Sequence, residues 1–191
     1  MTRRKGLRPE TVVDAATAIV DSDGVAALTL SRVASELGVK PPSLYNHVDG
    51  LESLKRNVAL RAIEFLGDRL GRAAMGRSGR EALRAIATEF RTYARKHPGL
   101  YELTSVARPE DAEFASSSMK PVEPVLAVLR GYDFDSDDAI HAARMLRAAL
   151  HGFVSLERSG GFGIGVDVNK SFSWLVDNLA ATLESRRAAP R

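Results

Sequence analysis

Within eight residues, 40–47, this chain places Lys40, Ser43, Tyr45, Asn46 and His47, five hydrogen-bonding side chains with no carboxylate among them. If the run is helical, Leu44 and Val48, four apart, face a core and turn the polar groups outward. An ordinary solvated helix face would carry Glu and Lys there. A hydroxyl, an amide, a phenol and an imidazole are the groups that reach base edges and phosphate oxygens of duplex DNA. A second grouping suggests other chemistry: Asp137, Asp138 and His141 share a helix face and His151 follows, an arrangement that could serve acid–base or metal chemistry. Ten residues, however, put the two histidines about 80° apart around a helix and about 15 Å along it, too far to share one ion. Surface and helix-start charges account for these acids, so neither catalysis, nor a metal, nor a cofactor is expected. Without cysteine there is no disulfide, thiolate metal site or thiol nucleophile. The glycine-rich run 160–165 follows no strand and has neither dinucleotide nor Walker spacing, so it reads as an inter-helix connection.

The elements that must position the polar run can be read around it. Thr29 suits an N-cap, and Val33, Ala34 and Leu37 recur on one face of a short helix. Gly38 supplies a left-handed end and Val39 an apolar plug. Pro41 then suits the first position of a second helix, with Pro42 still in its first turn. Val12, Ala16, Ile19 and Val20 mark a preceding amphipathic helix ending at Gly24. Asp49 and Glu52 have capping-box spacing for the helix that follows.

In this N-terminal third the sequence resembles the tetracycline-repressor (TetR) family of transcription regulators. Thr29, Val33 and Ala34, then Leu37, Gly38 and Val39, then Ser43, Leu44, Tyr45, Asn46 and His47 match the family pattern in order and without gaps. The resemblance implies an all-α fold. An N-terminal three-helix helix-turn-helix domain, 1–50, would carry a basic arm, and a helical regulatory and dimerisation domain would occupy 51–191. It also implies a one-component regulator, a repressor, that binds a palindromic operator in double-stranded DNA as a homodimer and is released by a small-molecule effector. By the same motif Tyr45 and His47 would hold phosphates. Lys40, Pro41, Ser43 and Asn46 would discriminate base edges, with Thr29, Ser31 and Arg32 at the backbone. Two departures stand out. The family usually has Ser or Thr where Lys40 stands, and a Lys soon after the His, where this chain has Asp49, Gly50, Leu51 and Glu52. Lys40, Lys55 and Arg56 are candidates for the missing charge. Net charge is only +3, but Arg3, Arg4, Lys5 and Arg8 cluster without an acid, as an arm for DNA or as a solvated tail.

Beyond the motif the pattern stays helical. Leu51, Leu54, Val58 and Phe65 line one side of a long helix over 50–73, suited to serve as a mechanical link, and Leu83, Ile86, Phe90 and Ala94 line the next, which His97 and Pro98 end. His97 suits a capping or dipole role. Residues 100–130 read as two helices parted near Arg108 and Pro109, and 136–159 and 167–187 as two more. Phe90, Tyr93, Tyr101, Phe114, Met119 and Phe153 are candidates for an effector cavity, equally readable as packing. Glu157 joins them, because it falls in the apolar stripe of Leu146, Leu150 and Phe153 and there needs a partner. The last helix is apolar on two faces, with Trp174 and Ala181 nearly opposite Phe172, Val176 and Leu183. A second face implies a partner subunit, with Leu150, His151, Phe153, Trp174 and Ala181 as the expected interface. His151 and Gly152 also resemble the Trp-His-Gly subclass of the family, although the Trp is not adjacent. No apolar run is long enough to cross a bilayer, and the expected location is cytoplasmic, with no membrane partner. The alternative reading is a helical small-molecule or protein-binding dimer with weakened DNA binding.

Overall fold

The computed structural model describes residues 7–106, 108, 110–132 and 134–188, and among these every regular element is a helix. They are α1 (Pro9–Asp23), α2 (Leu30–Glu36), α3 (Gly50–Ala74), α4 (Gly79–Lys96), α5 (Pro98–Leu103), α6 (Ala112–Ser117), α7 (Glu123–Leu129), α8 (Ser136–Arg158) and α9 (Val168–Ala188). Tighter 3₁₀ turns occupy Val25–Ala27, Pro41–Asn46 and Arg130–Tyr132. The all-α expectation holds, and the long helices fall within a residue or two of the limits set by apolar periodicity. The chain packs as two units, Met1–Glu64 with His97–Ser118, and Phe65–Lys96 with Met119–Arg191.

In the first unit, α1 buries Val12, Ala16, Ile19 and Val20 and stops at Gly24, whose φ of +83° suits a residue without Cβ. The Thr29 hydroxyl accepts the Arg32 N–H at 3.1 Å, which makes Thr29 the N-cap of α2. Gly38, at φ +64°, ends that helix, and the Val39 N–H closes onto the Ala34 carbonyl at 2.9 Å. Of the basic arm, Arg3, Arg4 and Lys5 lie outside the described residues.

The stretch 100–130 departs from expectation. It follows the start of α5 with α6 and α7, so it is shared among three helices rather than two, and Pro109 lies outside the described residues. Short helices with breaks between them carry too few turns for the 3.6-residue period to register. Helix α5 sits hard on α1: a Cβ on Gly99 would lie 2.1 Å from the Val20 carbonyl oxygen. His97 does not cap α5 with its side chain. Its Nδ1 lies 2.8 and 2.9 Å from the two Asp21 oxygens, and since an ionised carboxylate only accepts, Nδ1 is the donor.

The second unit packs α4 against α7, α8 and α9. Its core joins Ala87, Leu150, Phe153, Phe172 and Val176, with Phe90, Phe162, Val168 and Leu175 against them. The buried side of α3 steps round the helix from Leu54 and Val58 to Leu66 and Leu70. Phe65, expected on the first stripe, is left 43% exposed because that half of the helix belongs to the other unit.

Candidate nucleic-acid interface

The polar run 40–47 is presented by a 3₁₀ turn, not by the α-helix expected from its motif. Ser43 N–H bonds to the Lys40 carbonyl at 2.9 Å and His47 N–H to the Leu44 carbonyl at 2.8 Å, both i to i−3. The cause lies in the sequence. A residue preceding proline is pushed away from the α region, and here both Lys40 and Pro41 precede one. Lys40 is accordingly extended, at φ −81° and ψ 142°. Two consecutive prolines also remove two backbone donors.

Leu44 is fully buried and Val48 nearly so, and they hold the turn against the unit. Between them Tyr45 stands 61% exposed. Lys40, Pro41, Ser43 and Asn46 are exposed and His47 half-buried, while Thr29, Ser31 and Arg32 are exposed at the start of α2. All nine candidates thus lie on two consecutive elements that pack on each other. Their side chains offer donors and acceptors and no carboxylate.

The cations around this surface are mostly committed. Arg32 reaches Asp23 at 3.2 Å, Lys55 is held by Glu52 at 2.8 Å, and Arg61 is paired with Asp14. Glu52 therefore gives its carboxylate to Lys55, whose hydrogen bond and charge lower its pKa. Arg56 is taken up by Asp111, through Nε and at 2.8 Å through a terminal nitrogen, and by Glu113 at 2.7 Å. Asp111 also caps α6, accepting the Phe114 N–H at 3.0 Å. The Arg56 hydrogen bond, then that backbone bond, hold the Asp111 carboxyl far below the usual range, and the same pair raises Arg56. An arginine so held is not available to a phosphate. Nothing in the sequence between 56 and 111 announced this pairing, which depends on tertiary contact alone.

The effector candidates divide. Tyr101 and Phe114 are buried in the first unit. Phe90, Tyr93, Met119, Phe153 and Glu157 belong to the second, where Met119 is 43% exposed and Tyr93 almost wholly buried. Glu157 has the partner its position demanded: Arg91, 8% exposed, donates to its two oxygens at 2.9 and 2.5 Å. That hydrogen bond, ahead of the opposing desolvation, lowers the Glu157 pKa. The Arg91 guanidinium also lies 4.7 Å from the Phe172 ring centroid and 5.5 Å from that of Phe153. Sequence reading missed Arg91, although its position four residues from Ala87 and three from Ala94 put it on the buried face of α4. A shallow groove of about 360 Å³ in this unit is lined by Arg84, Thr88, Phe172, Ser173, Val176 and Asp177, none of them an effector candidate.

Of the interface candidates, Trp174 is 75% exposed and His151 and Ala181 are exposed, whereas Leu150 and Phe153 are buried within the unit's own core. Those two side chains are spent on intramolecular packing. Asp137, Asp138 and His141 are all exposed, and among the described residues no three His, Asp or Glu side chains are grouped to hold a metal. Among the same residues no helix is long and apolar enough to cross a membrane.

Comparison with known proteins bears on this geometry directly. Residues 83–179 match the family model described as the tetracyclin repressor-like C-terminal domain. The chain is 37% identical over 188 residues to the uncharacterized HTH-type transcriptional regulator Rv0681 of Mycobacterium tuberculosis, covering 97% of this chain and 86% of that one. It is 32% identical over 147 residues to the HTH-type transcriptional repressor DrrR1 of Streptomyces coeruleorubidus, covering 74% of this chain and 50% of the relative. A solved structure of a protein of unknown function from Rhodococcus sp. RHA1 superposes with a TM-score of 0.81 at 20% identity, over 96% of this chain and 99% of the other, which speaks for the fold. A helix-turn-helix surface at one end of the sequence and a matching regulatory domain at the other place the chain in the tetracycline-repressor (TetR) family of transcription regulators.

Proposed function

We propose that this regulator is a repressor that binds a pseudo-palindromic operator as a homodimer, leaves it when a small molecule binds, and has no enzymatic activity. The observation that carries the reading is the exposed Tyr45 between buried Leu44 and Val48, which turns Ser43, Asn46 and His47 toward a partner of polar edges. In this reading Tyr45 and His47 hold phosphates, Pro41, Ser43 and Asn46 face base edges, and Thr29, Ser31 and Arg32 flank the backbone. Residues 1–50 read DNA and 51–191 regulate, a division of labour that differs from the division of packing. Its work on DNA places it in the cytoplasm.

Dimerisation is supported by Trp174, a large apolar side chain left in water on α9, and by Gly152 in the middle of α8. A Cβ on Gly152 would meet nothing within 4 Å, so no neighbour among the described residues requires a glycine that disfavours the helix by roughly 1 kcal/mol. The effector site is drawn from Phe90, Tyr93 and Phe153 with the Arg91–Glu157 pair. The relative named a repressor supports the sign of regulation.

The test is a mobility shift on genomic fragments, followed by four variants on the fragment retained. Tyr45→Phe and His47→Ala should weaken operator and random duplex alike. Asn46→Ala and Ser43→Ala should lower operator affinity by about 1–3 kcal/mol and narrow the gap to random DNA. Four folded variants with unchanged operator affinity would overturn the assignment of this surface.

A further inference from the structure

We infer that Lys40 is the phosphate anchor of the reading turn, replacing the backbone amides that the turn lacks, rather than a base-edge reader. The inference rests on the DNA-binding reading above and goes on to assign which atom carries the sequence-independent part of it.

The side chain of Lys40 does no structural work inside the turn it opens. It occupies the N-cap position of the Pro41–Asn46 turn and makes no side-chain cap. An N-cap favours a short oxygen acceptor, because the first amides of a helix need one. A cation there also sits at the positive end of the backbone dipoles. Lys40 thus breaks a local rule twice, and among the described residues it gains nothing in return: its ammonium has no ion pair or hydrogen bond with any of them, and its side chain is exposed. A residue that violates local preference without internal compensation is placed for something outside the molecule.

The neighbouring donors say what that is. A helix that docks on DNA can hold a phosphate on its first amides. Here Pro41 and Pro42 have no N–H, and the Ser43 N–H is already given to the Lys40 carbonyl at 2.9 Å. The start of the turn therefore has no backbone donor to offer an anion. Of the amides a cap could serve, Pro42 has none and that of Ser43 is taken by the Lys40 carbonyl rather than by a side chain. Among the other cations of residues 30–61, Arg32 is shared with Asp23, Lys55 with Glu52, Arg56 with Asp111 and Glu113, and Arg61 with Asp14. An ammonium without a partner among the described residues, one residue from the first lost amide and on the same exposed surface as Ser43 and Tyr45, matches a phosphate oxygen by charge and by reach. A point charge on a flexible stem is also suited to phosphate rather than to a base edge read in fixed geometry.

The salt dependence of binding distinguishes the two roles. Fluorescence anisotropy on an operator duplex and a random duplex, between 50 and 200 mM KCl, would be run on the intact protein and on Lys40→Ala and Lys40→Arg. Each phosphate neutralised contributes about 0.9 to the slope of log K against log salt, so losing one contact in each of two heads lowers the slope by about two. Lys40→Ala is expected to show that decrease on the operator, weaken both duplexes by a similar factor, and leave their ratio within about twofold. Lys40→Arg is expected to keep the wild-type slope. An unchanged slope with a loss confined to the operator overturns the inference in favour of base reading, and unchanged binding to both duplexes overturns any contact. A wild-type protein that binds neither duplex overturns the DNA-binding reading itself, and with it this one.

Discussion

Replacing Glu157 by Gln tests the ion pair that ties α4 to α8. Both side chains are largely buried, and two charge-assisted hydrogen bonds join them. Glutamine keeps the shape and one acceptor but leaves the guanidinium against Phe153 and Phe172 with its countercharge gone. Removing one partner of a fully buried pair costs about 3–5 kcal/mol. Residual solvent brings the expectation here to about 2–3 kcal/mol, while Arg95, 3.9 Å from the same carboxylate, loses its countercharge as well. For a domain of this size that is a fall in Tm of roughly 5–10 °C. The double variant Arg91→Met with Glu157→Leu should recover most of it, since two apolar groups leave no orphan charge. Acid supplies an independent check. The folded carboxyl titrates below the ordinary glutamate value because the hydrogen bond from Arg91 holds the charged form. Its contribution is therefore complete above about pH 4.5 and is lost as pH falls through the lower folded value, so the gap between wild type and Gln variant should close in that acid window. Urea unfolding followed by circular dichroism, at one protein concentration and at pH 7 and below pH 4, measures both. A Gln variant within about 0.5 kcal/mol of wild type at pH 7, or a gap that does not shrink in acid, would show that the Arg91–Glu157 pair does not stabilise the fold.

Two further outcomes follow from packing. Gly99→Ala should destabilise by about 1–3 kcal/mol or more, read as a lower urea midpoint, because its Cβ would press on the backbone of Val20 and Gly24, which cannot swing aside. Trp174→Asp should leave the fold intact and weaken dimerisation by about 2 kcal/mol or more, which sedimentation or light scattering across a dilution series would detect. A variant that dimerises as wild type does would remove Trp174 from the interface.

How much of this was legible in the sequence depends on distance along the chain. The helix-turn-helix start could be read because its devices are local: Thr29 caps within three residues, Gly38 turns the backbone, and Leu44 and Val48 repeat at one helical turn. The long helices α3, α8 and α9 could be read because the apolar period persists for five turns or more. The 3₁₀ form of the reading turn was also local, written in Pro41 and Pro42, but the rule that the residue before a proline leaves the α region had to outweigh the preference for proline at a helix start. What could not be read was tertiary pairing. Arg56 meets Asp111 across 55 residues and Arg91 meets Glu157 across 66, and no periodicity carries such information. The same holds for Tyr101 and Phe114, whose aromatic character suggests a cavity and whose burial is in the core of the first unit.

Operator recognition by a dimer is tested by selecting bound fragments from a randomised duplex library with the purified protein and footprinting the sequence recovered. A dimer reading DNA through two copies of the surface around Tyr45 predicts two half-sites related by a dyad, with centres about 34–36 Å apart or a multiple of that, and protection that fades as salt rises. Recovery of no shared sequence, with a footprint absent even at low salt, would contradict it.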